Sequence, residues 1–524
     1  MSPLQFLKKR RLAARGMSCG KTRRSADESS LLDGLEESPW IRGAVVLAAA
    51  GILTFLCFLG NPEEPLKDLL YALLILAIVV IHPLIARGGA LHDNSRLGLF
   101  LALILLQLGV SAILLRQAEE GHVSEYFLPL LIPYALAPLT ISVLLGAQTG
   151  FWAALAAALW WTILRGGADP APLLLALTGG MAAVLATTRV RRRSRVLRAG
   201  LYSGIAVALL ALLTGLIGPV LWDSPSHNEW WKIGLEAATV IGVGIFTAVL
   251  VSGSLPLMEQ FFRITTEMSW LEMADLNHPL LRRLSLEAPG TYHHSLAMAN
   301  LAEACAEKVG ANATLCRVGA YFHDIGKLAK PEYFTENMPP GDNPHDELTP
   351  TMSALVILAH VKEGVDLGLR HKLNRRIIDL IRQHHGTTLV EYFYQRACRQ
   401  ERDARSGGTL MNVRPEDIPK VSEESYRYPG PKPQTIEAVI LGLADSAESA
   451  SRSLERPTPQ RLDDLVHDIL QDRIEDGQYD EAPVTLCQLQ TIADSLISSL
   501  GSMHHARIAY RKKNEGGKSE VSAE

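Results

Sequence analysis

A chain of 524 residues is long enough for two or three domains, and a mean hydropathy of +0.12 is high for a soluble protein of that size. The net charge of −4 hides a basic N-terminus and basic internal loops, so it selects no partner class. The six cysteines (Cys19, Cys57, Cys305, Cys316, Cys398, Cys487) form no C-x-x-C pair, which excludes a zinc-cluster or disulfide-framework reading and fits a reducing compartment.

Residues 1–40 carry Lys8, Lys9, Arg10, Arg11, Arg15, Lys21, Arg23 and Arg24 ahead of an apolar stretch with no cleavage site, so the stretch reads as an uncleaved first membrane helix. A hydrocarbon core of about 30 Å needs roughly 20 apolar residues as helix. Spans are expected at 41–60, 68–86, 97–115, 126–146, 150–164, 171–187, 200–222 and 232–254, making a membrane domain of about eight helices over 41–255. Trp160 and Trp161 suit an interfacial belt. Pro133 and Pro138 in the fourth span and Gly179–Gly180 in the sixth suggest kinks or close packing. Glu236 lies about one turn from the outer end of the last span, where interfacial placement suits it.

Orientation follows from the loops. With the N-terminus inside, inner segments hold sixteen Lys and Arg, including Arg87, Arg96 and the cluster Arg189, Arg191, Arg192, Arg193, Arg195 and Arg198. The outer loops hold four: Lys67, Arg116, Arg165 and Lys232. That bias puts the N-terminus and everything after Met258 in the cytoplasm.

Residues 256–276 read as an amphipathic connecting helix. Beyond it, apolar patterns of helical period run over 294–309, 313–323, 351–362, 374–385, 388–400, 435–455, 459–474 and 484–500, with no alternating strand pattern. Gly310, Gly326, Gly364 and Gly386 stand at helix ends. The expected fold is all-α: a polytopic helical membrane domain followed by a helical domain over 277–506. Residues 401–434, rich in charge, Gly and Pro, read as an exposed insertion or a loop near the site, and 507–524 as a disordered tail.

Histidine carries the chemical signal. Nine of the sixteen lie between His278 and His385. Among them are His294, the pair His323–Asp324, His360 and the pair His384–His385, while Asp445 interrupts an apolar helix in LGLADSAE. Imidazole with carboxylate and no thiolate suits Fe, Mn or Zn. Seven such side chains are too many for one tetrahedral ion but suit two ions about 3.5–4 Å apart, the arrangement that clamps the attacking and leaving oxygens in phosphoester cleavage. Adjacent His384 and His385 diverge by about 100° on a helix, so both reach one site most easily at a helix end, which Gly386 can supply. Lys327 is either a phosphate contact and leaving-group stabiliser or a solvated surface lysine. For His278, His293, His345 and His371 the ordinary reading is a core or solvated imidazole.

The stretches APGTYHHSLAMANLAEACAEKVGAN, VGAYFHDIGKLAKPEYF, IRQHHGTTLVEYFY and YRYPGPKPQTIEAVILGLADSAESASRSL, with the His360 region, resemble the seven-transmembrane HD-domain (HDIG) membrane receptor–hydrolases of the cyclic di-AMP phosphodiesterase type. The resemblance runs from about Pro256 to Leu500. It implies a bacterial inner-membrane enzyme whose cytoplasmic HD domain linearises cyclic di-AMP to pApA with two divalent ions, Mn or Fe. It implies His294, His323, Asp324 and Asp445 on one ion, Asp324, His360, His384 and His385 on the other, and Asp324 and Lys327 in catalysis, Lys327 also contacting substrate. The implied partners are cyclic di-AMP, the bilayer and a further copy of the chain, without DNA. Two related HD classes fit less well: HHGTTLVEYFY lacks the GYP of cyclic di-GMP enzymes, and HDIGKLAK lacks the acidic residues of guanosine-tetraphosphate hydrolases. Another nucleotide or RNA substrate, or a silent nucleotide-binding sensor, stays open. The family usually carries a large extracellular domain between its first two spans; here that interval is only Asn61 to Lys67.

Overall fold

A computed structural model describes residues 36–505 apart from 37, 61–64, 86–90, 92, 166–169, 189–191, 219–226, 263, 340, 408–419 and 455–456. The basic segment up to residue 35, Arg87, Arg189, Arg191, most of the Asn61–Lys67 interval, the middle of 401–434 and the tail from 507 lie outside the described residues. The chain divides into two compact units, 1–268 and 269–524.

In the first unit the helices are α1 (Pro39–Gly60), α2 (Pro65–Ile85), α3 (Asn94–Glu119), α4 (Leu128–Leu131), α5 (Leu136–Leu145), α6 (Ala147–Leu164), α7 (Ala171–Ala186), α8 (Arg193–Leu213) and α9 (His227–Phe262). Among the described residues, five stretches are long and apolar enough to cross a membrane: Pro39–Leu59, Asn94–Glu119, Leu128–Leu145, Arg193–Leu213 and Trp230–Phe262; Ala171–Ala186 is a shorter apolar helix. Leu47, Phe55, Leu74, Leu213 and Phe246 turn outward, as lipid-facing residues do where hydrocarbon is the solvent.

Four expectations are corrected here. The span expected over 126–146 is two helices, because Pro133 lacks the N–H that a continuous helix requires; Pro138 falls in the first turn of α5, where its missing donor costs nothing. The span expected at 200–222 begins at Arg193, so Arg193, Arg195 and Arg198 sit on helical turns rather than in a loop. Trp160 and Trp161 are buried, and the Trp160 indole donates to the Ala72 carbonyl at 3.0 Å instead of facing an interface. Glu236 is also buried and accepts from the Tyr126 hydroxyl at 3.0 Å, a bond that replaces water for a carboxylate placed inward.

No single connecting helix covers 256–276. Helix α9 runs through Pro256 to Phe262, a non-helical step follows at Ile264–Thr266, and a short α10 spans Glu267–Met273. The β-branched run Ile264–Thr265–Thr266 disfavours helix, and the Glu259 carboxylate takes the Thr266 N–H at 3.2 Å.

The second unit is built of α11 (Pro279–Glu287), α12 (Pro289–Val309), α13 (Ala313–Phe322), α14 (Pro350–Arg370), α15 (Arg375–Gln383), α16 (Glu391–Gly407), α17 (Ile436–Arg452), α18 (Pro459–Glu475) and α19 (Leu486–His505). Side-chain caps start them: Asn312, Thr349, Asn374, Thr435 and Thr458 each accept from a backbone N–H two or three residues on. Helix α12 packs on α13, α17 and α19 around Cys305, Phe322, Ile381, Leu441 and Leu496, all fully buried. This core fixes the helix ends that carry the histidines.

Candidate metal centre

Helix α13 stops at Phe322 and gives way to a 3-10 turn at Ile325–Ala329. The turn can exist only with glycine at 326: a Cβ there would stand 1.8 Å from the His360 carbonyl oxygen and 2.5 Å from the Gly364 nitrogen. The HDIG turn thus lies directly against α14, and Asp324 faces the His360 imidazole. Helix α15 ends at Gln383, His384 and His385 follow in its terminal turn, and Gly386 takes φ +55°, a left-handed turn that glycine adopts without strain. Asp445 projects from the middle of α17.

These segments bring seven side chains together as two donor sets. His294, His323, Asp324 and Asp445 form one, and His360, His384 and His385 the other, with donor atoms of each set within 4.8 Å of one another. Asp324 faces both. Its Oδ2 lies 3.2 Å from His323 Nε2 and 4.0 Å from His294 Nε2. Its Oδ1 lies 3.4 Å from His360 Nε2 and 3.8 Å from His384 Nε2. Asp445 touches both sets too, through His294 at 3.0 Å and His385 at 3.7 Å.

Tautomers are imposed from behind. The Nδ1 atoms of His323, His360 and His384 lie 2.8, 2.6 and 2.8 Å from the carbonyl oxygens of Ala320, Ile357 and Ile381. A carbonyl can only accept, so each Nδ1 carries a proton, and in the neutral ring each Nε2 presents a lone pair inward. His360 Nε2 and His384 Nε2 therefore face each other as two acceptors at 3.4 Å. His323 Nε2 and Asp324 Oδ1 are buried without a hydrogen-bond partner. Facing lone pairs and orphaned buried acceptors are costly without a cation between them, so the donor set fits metal ions.

The electrostatics agree. Burial, reinforced by neighbouring imidazoles, holds His384 down to about 3 and His385 well below its ordinary range, so both are neutral donors. Burial opposes charge on His323 as well, but Asp324 and Asp445 beside it raise it to about 10. A field that retains a proton there would equally retain a cation. Despite the desolvation that works against them, Asp324 and Asp445 stay well below the usual carboxylate range because of the imidazoles around them.

Lys327 is not a solvated surface lysine; it lies in the 3-10 turn that follows α13. Its buried ammonium lies 2.7 Å from both Asp324 Oδ2 and Glu336 Oε1, and these two carboxylates raise it despite burial. His278, His293, His345 and His371 stand outside the cluster: His278 caps α11 through Nδ1, and His345 is buried with Nε2 2.8 Å from the Tyr333 carbonyl.

Three residues at the site were not singled out by sequence. Glu448 accepts from His294 Nδ1 at 2.5 Å; standing three residues after Asp445 on one helix, it shares that face, and this spacing is a signal that could have found it. Glu336 lies among 3-10 turns without periodicity. Tyr428 stacks on His385 with ring centroids 4.2 Å apart. Tyr428 comes from the far end of the 401–434 segment, which is therefore not wholly exposed: Tyr426 and Tyr428 are buried, and Arg427 grips Asp476 through two bonds of 3.0 and 2.9 Å.

An all-helical unit whose core converges histidines and aspartates on an HD pair defines an HD-domain protein with a metal-capable site. Residues 291–450 match the HD domain, and residues 42–266 match the model of a 7TM receptor with intracellular HD hydrolase. The chain belongs to that family, the seven-transmembrane HD hydrolases. It is 38% identical over 381 residues to the cyclic-di-AMP phosphodiesterase PgpH of Listeria monocytogenes, covering 72% of this chain and 50% of that protein. With the Bacillus subtilis protein of the same name it shares 39% over 338 residues, covering 64% and 44%. The chain thus spans about half the length of the curated relatives it matches. A solved structure of the L. monocytogenes PgpH HD domain in complex with cyclic-di-AMP is 45% identical, with a TM-score of 0.40, over 43% of this chain and 98% of that one.

Proposed function

We propose that this chain is a membrane-anchored phosphodiesterase that opens cyclic di-AMP to linear pApA at a two-metal HD site. The observation that carries the reading is Asp324, whose two oxygens face the two donor sets separately. A carboxylate so placed could be shared by two ions held a few ångströms apart. The substrate rests on the curated relatives named for cyclic di-AMP. The ligand assignment is His294, His323, Asp324 and Asp445 for one ion and Asp324, His360, His384 and His385 for the other. Five imidazoles with two carboxylates and no thiolate suit Mn or Fe.

Two divalent ions held there would polarise the phosphoryl group and stabilise both the entering and the departing oxygen. The chain supplies the rest. The backbone carbonyls behind His323, His360 and His384 hold the imidazoles in the donor tautomer. Lys327, already shared by Asp324 and Glu336, keeps positive charge beside Asp324, where it could contact the phosphate and steady the leaving group. Tyr428 fixes the His385 ring and walls that side of the site.

The excess of basic residues on the segments read as inner, sixteen against four, supports a cytoplasmic HD unit at a bacterial inner membrane. The test uses the full-length chain purified in detergent. With Mn or Fe present it should convert cyclic di-AMP to pApA, and a chelator should abolish the conversion. Cleavage of linear RNA alone, or cyclic di-AMP left intact with metal present, overturns the reading.

A further inference from the structure

Four histidines of the cluster are held through Nδ1, and one is held differently. For His323, His360 and His384 the anchor is the carbonyl three residues back. For His294 it is the Glu448 carboxylate, Oε2 at 2.5 Å, while Nε2 points at Asp445 and Asp324. Glu448 is 1% exposed. Its other oxygen accepts from Arg452 Nε at 2.7 Å, and that guanidinium is partly open to solvent. Together these groups form a relay from the surface inward: Arg452, Glu448, His294, then the donor set.

We propose that Glu448 is a positioning residue for the metal site, setting the tautomer and basicity of His294. A carboxylate behind a histidine does two things that a carbonyl cannot do as strongly. It demands the proton on Nδ1, leaving Nε2 as a lone pair, and its negative charge makes Nε2 a stronger donor to a cation. Arg452 keeps Glu448 ionised and fixes its rotamer without entering the site. Because Asp445 lies three residues earlier on the same helix, a single rigid element presents both a donor and the group that orients a donor from α12. In the other set, His360 and His384 rest on backbone carbonyls and His385 Nδ1 lies 3.7 Å from Asp445 Oδ2, so Glu448 acts on the set containing His294.

This inference rests on the metal reading of the cluster, and the experiment separates the two. Mn2+ binding is measured on the full-length chain in detergent, alongside turnover and melting temperature. Wild type should take up two ions. Glu448→Ala should weaken one of them about 10- to 100-fold, the scale of losing such a partner, with the second unchanged. Excess Mn2+ should restore turnover, and KM for the cyclic dinucleotide should hold. Arg452→Ala keeps the carboxylate on His294 and should stay within about fivefold of wild type, the scale of a half-exposed ion pair. Should Glu448→Ala fail to fold, the isosteric Glu448→Gln decides, with one ion expected about tenfold weaker. Variants that bind both ions as tightly as wild type overturn the inference alone. Equal weakening of both ions, with a melting temperature lowered even in chelator, overturns it in favour of a packing role. A wild-type chain that binds no Mn2+ overturns the metal reading and this inference with it.

Discussion

Both units bury polar side chains, but they use them differently. In the membrane unit the polar atoms are mostly consumed one at a time on backbone. Gln107 Oε1 takes the Ala137 N–H at 2.8 Å, inside the first turn of α5 beyond the Pro133 break. Ser203 Oγ donates to the Gly179 carbonyl at 2.8 Å, and Trp160 donates to Ala72. Among the described residues, the polar atoms left over in that unit, such as the Tyr134 hydroxyl and Trp161 Nε1, are not gathered into a metal-capable group. In the second unit His294, His323, His360 and His384 spend the rear nitrogen on backbone or Glu448 and leave the front one for the cluster. A buried polar residue is structural when its bonding capacity is exhausted locally; a group of them with unspent atoms aimed at one point is a site.

That contrast can be broken most sharply at Asp324. Asp324→Ala removes the carboxylate whose two oxygens face the two donor sets separately, so turnover of cyclic di-AMP should fall at least 100- to 1,000-fold, on the order of losing a main electrostatic stabiliser. The number of bound ions should fall with it, while the far-ultraviolet helix signal stays. A variant retaining full turnover would sink the assignment.

Glu336→Ala probes the rim. The largely buried Lys327 ammonium keeps Asp324 but loses its second carboxylate, so the cost should stay below the roughly 3–5 kcal/mol of breaking a fully buried ion pair. The second unit should melt earlier in the presence of chelator, with a smaller effect on ion number than Asp324→Ala. An unchanged melting curve would mean that Lys327 finds solvent once Glu336 is gone.

The smallest effect belongs to the membrane unit. Gln107→Leu leaves the Ala137 N–H without its acceptor and should cost about 1–2 kcal/mol of detergent-resistant stability. Turnover per folded molecule should not change. A loss of turnover at unaltered stability would instead mean that the broken span communicates with the hydrolase.

Sequence made the second unit's chemistry legible because its signal is local. His323–Asp324 and His384–His385 are adjacent pairs, Gly386 marks the helix end that lets the second pair turn inward, and helical period located the elements around them. What escaped was the supporting layer. Glu336 and Tyr428 reach the site from irregular backbone, where no periodicity predicts direction, and the 3.6-residue spacing that links Glu448 to Asp445 has meaning only once Asp445 is known to face a cluster. In the membrane unit, length and apolarity found the helices but not their internal economy. Trp160 and Glu236 were assigned to the interface because depth was the only available coordinate, whereas their actual partners, Ala72 and Tyr126, are 88 and 110 residues distant in sequence.

The clamp around residues 408–419 has a practical corollary. Glu401 Oε2 accepts from the Val421 N–H at 3.0 Å, and Val390 and Thr388 pair with Tyr426 and Tyr428 through backbone bonds of 2.9 Å each. The strap that delivers Tyr428 is thus fastened on both sides before the intervening stretch is counted, and doubling the length of such a stretch costs only about 0.6 kcal/mol of closure entropy. A reporter peptide or fluorophore tag inserted between 408 and 419 should therefore leave Tyr428 stacked on His385, because the anchors lie outside the insertion.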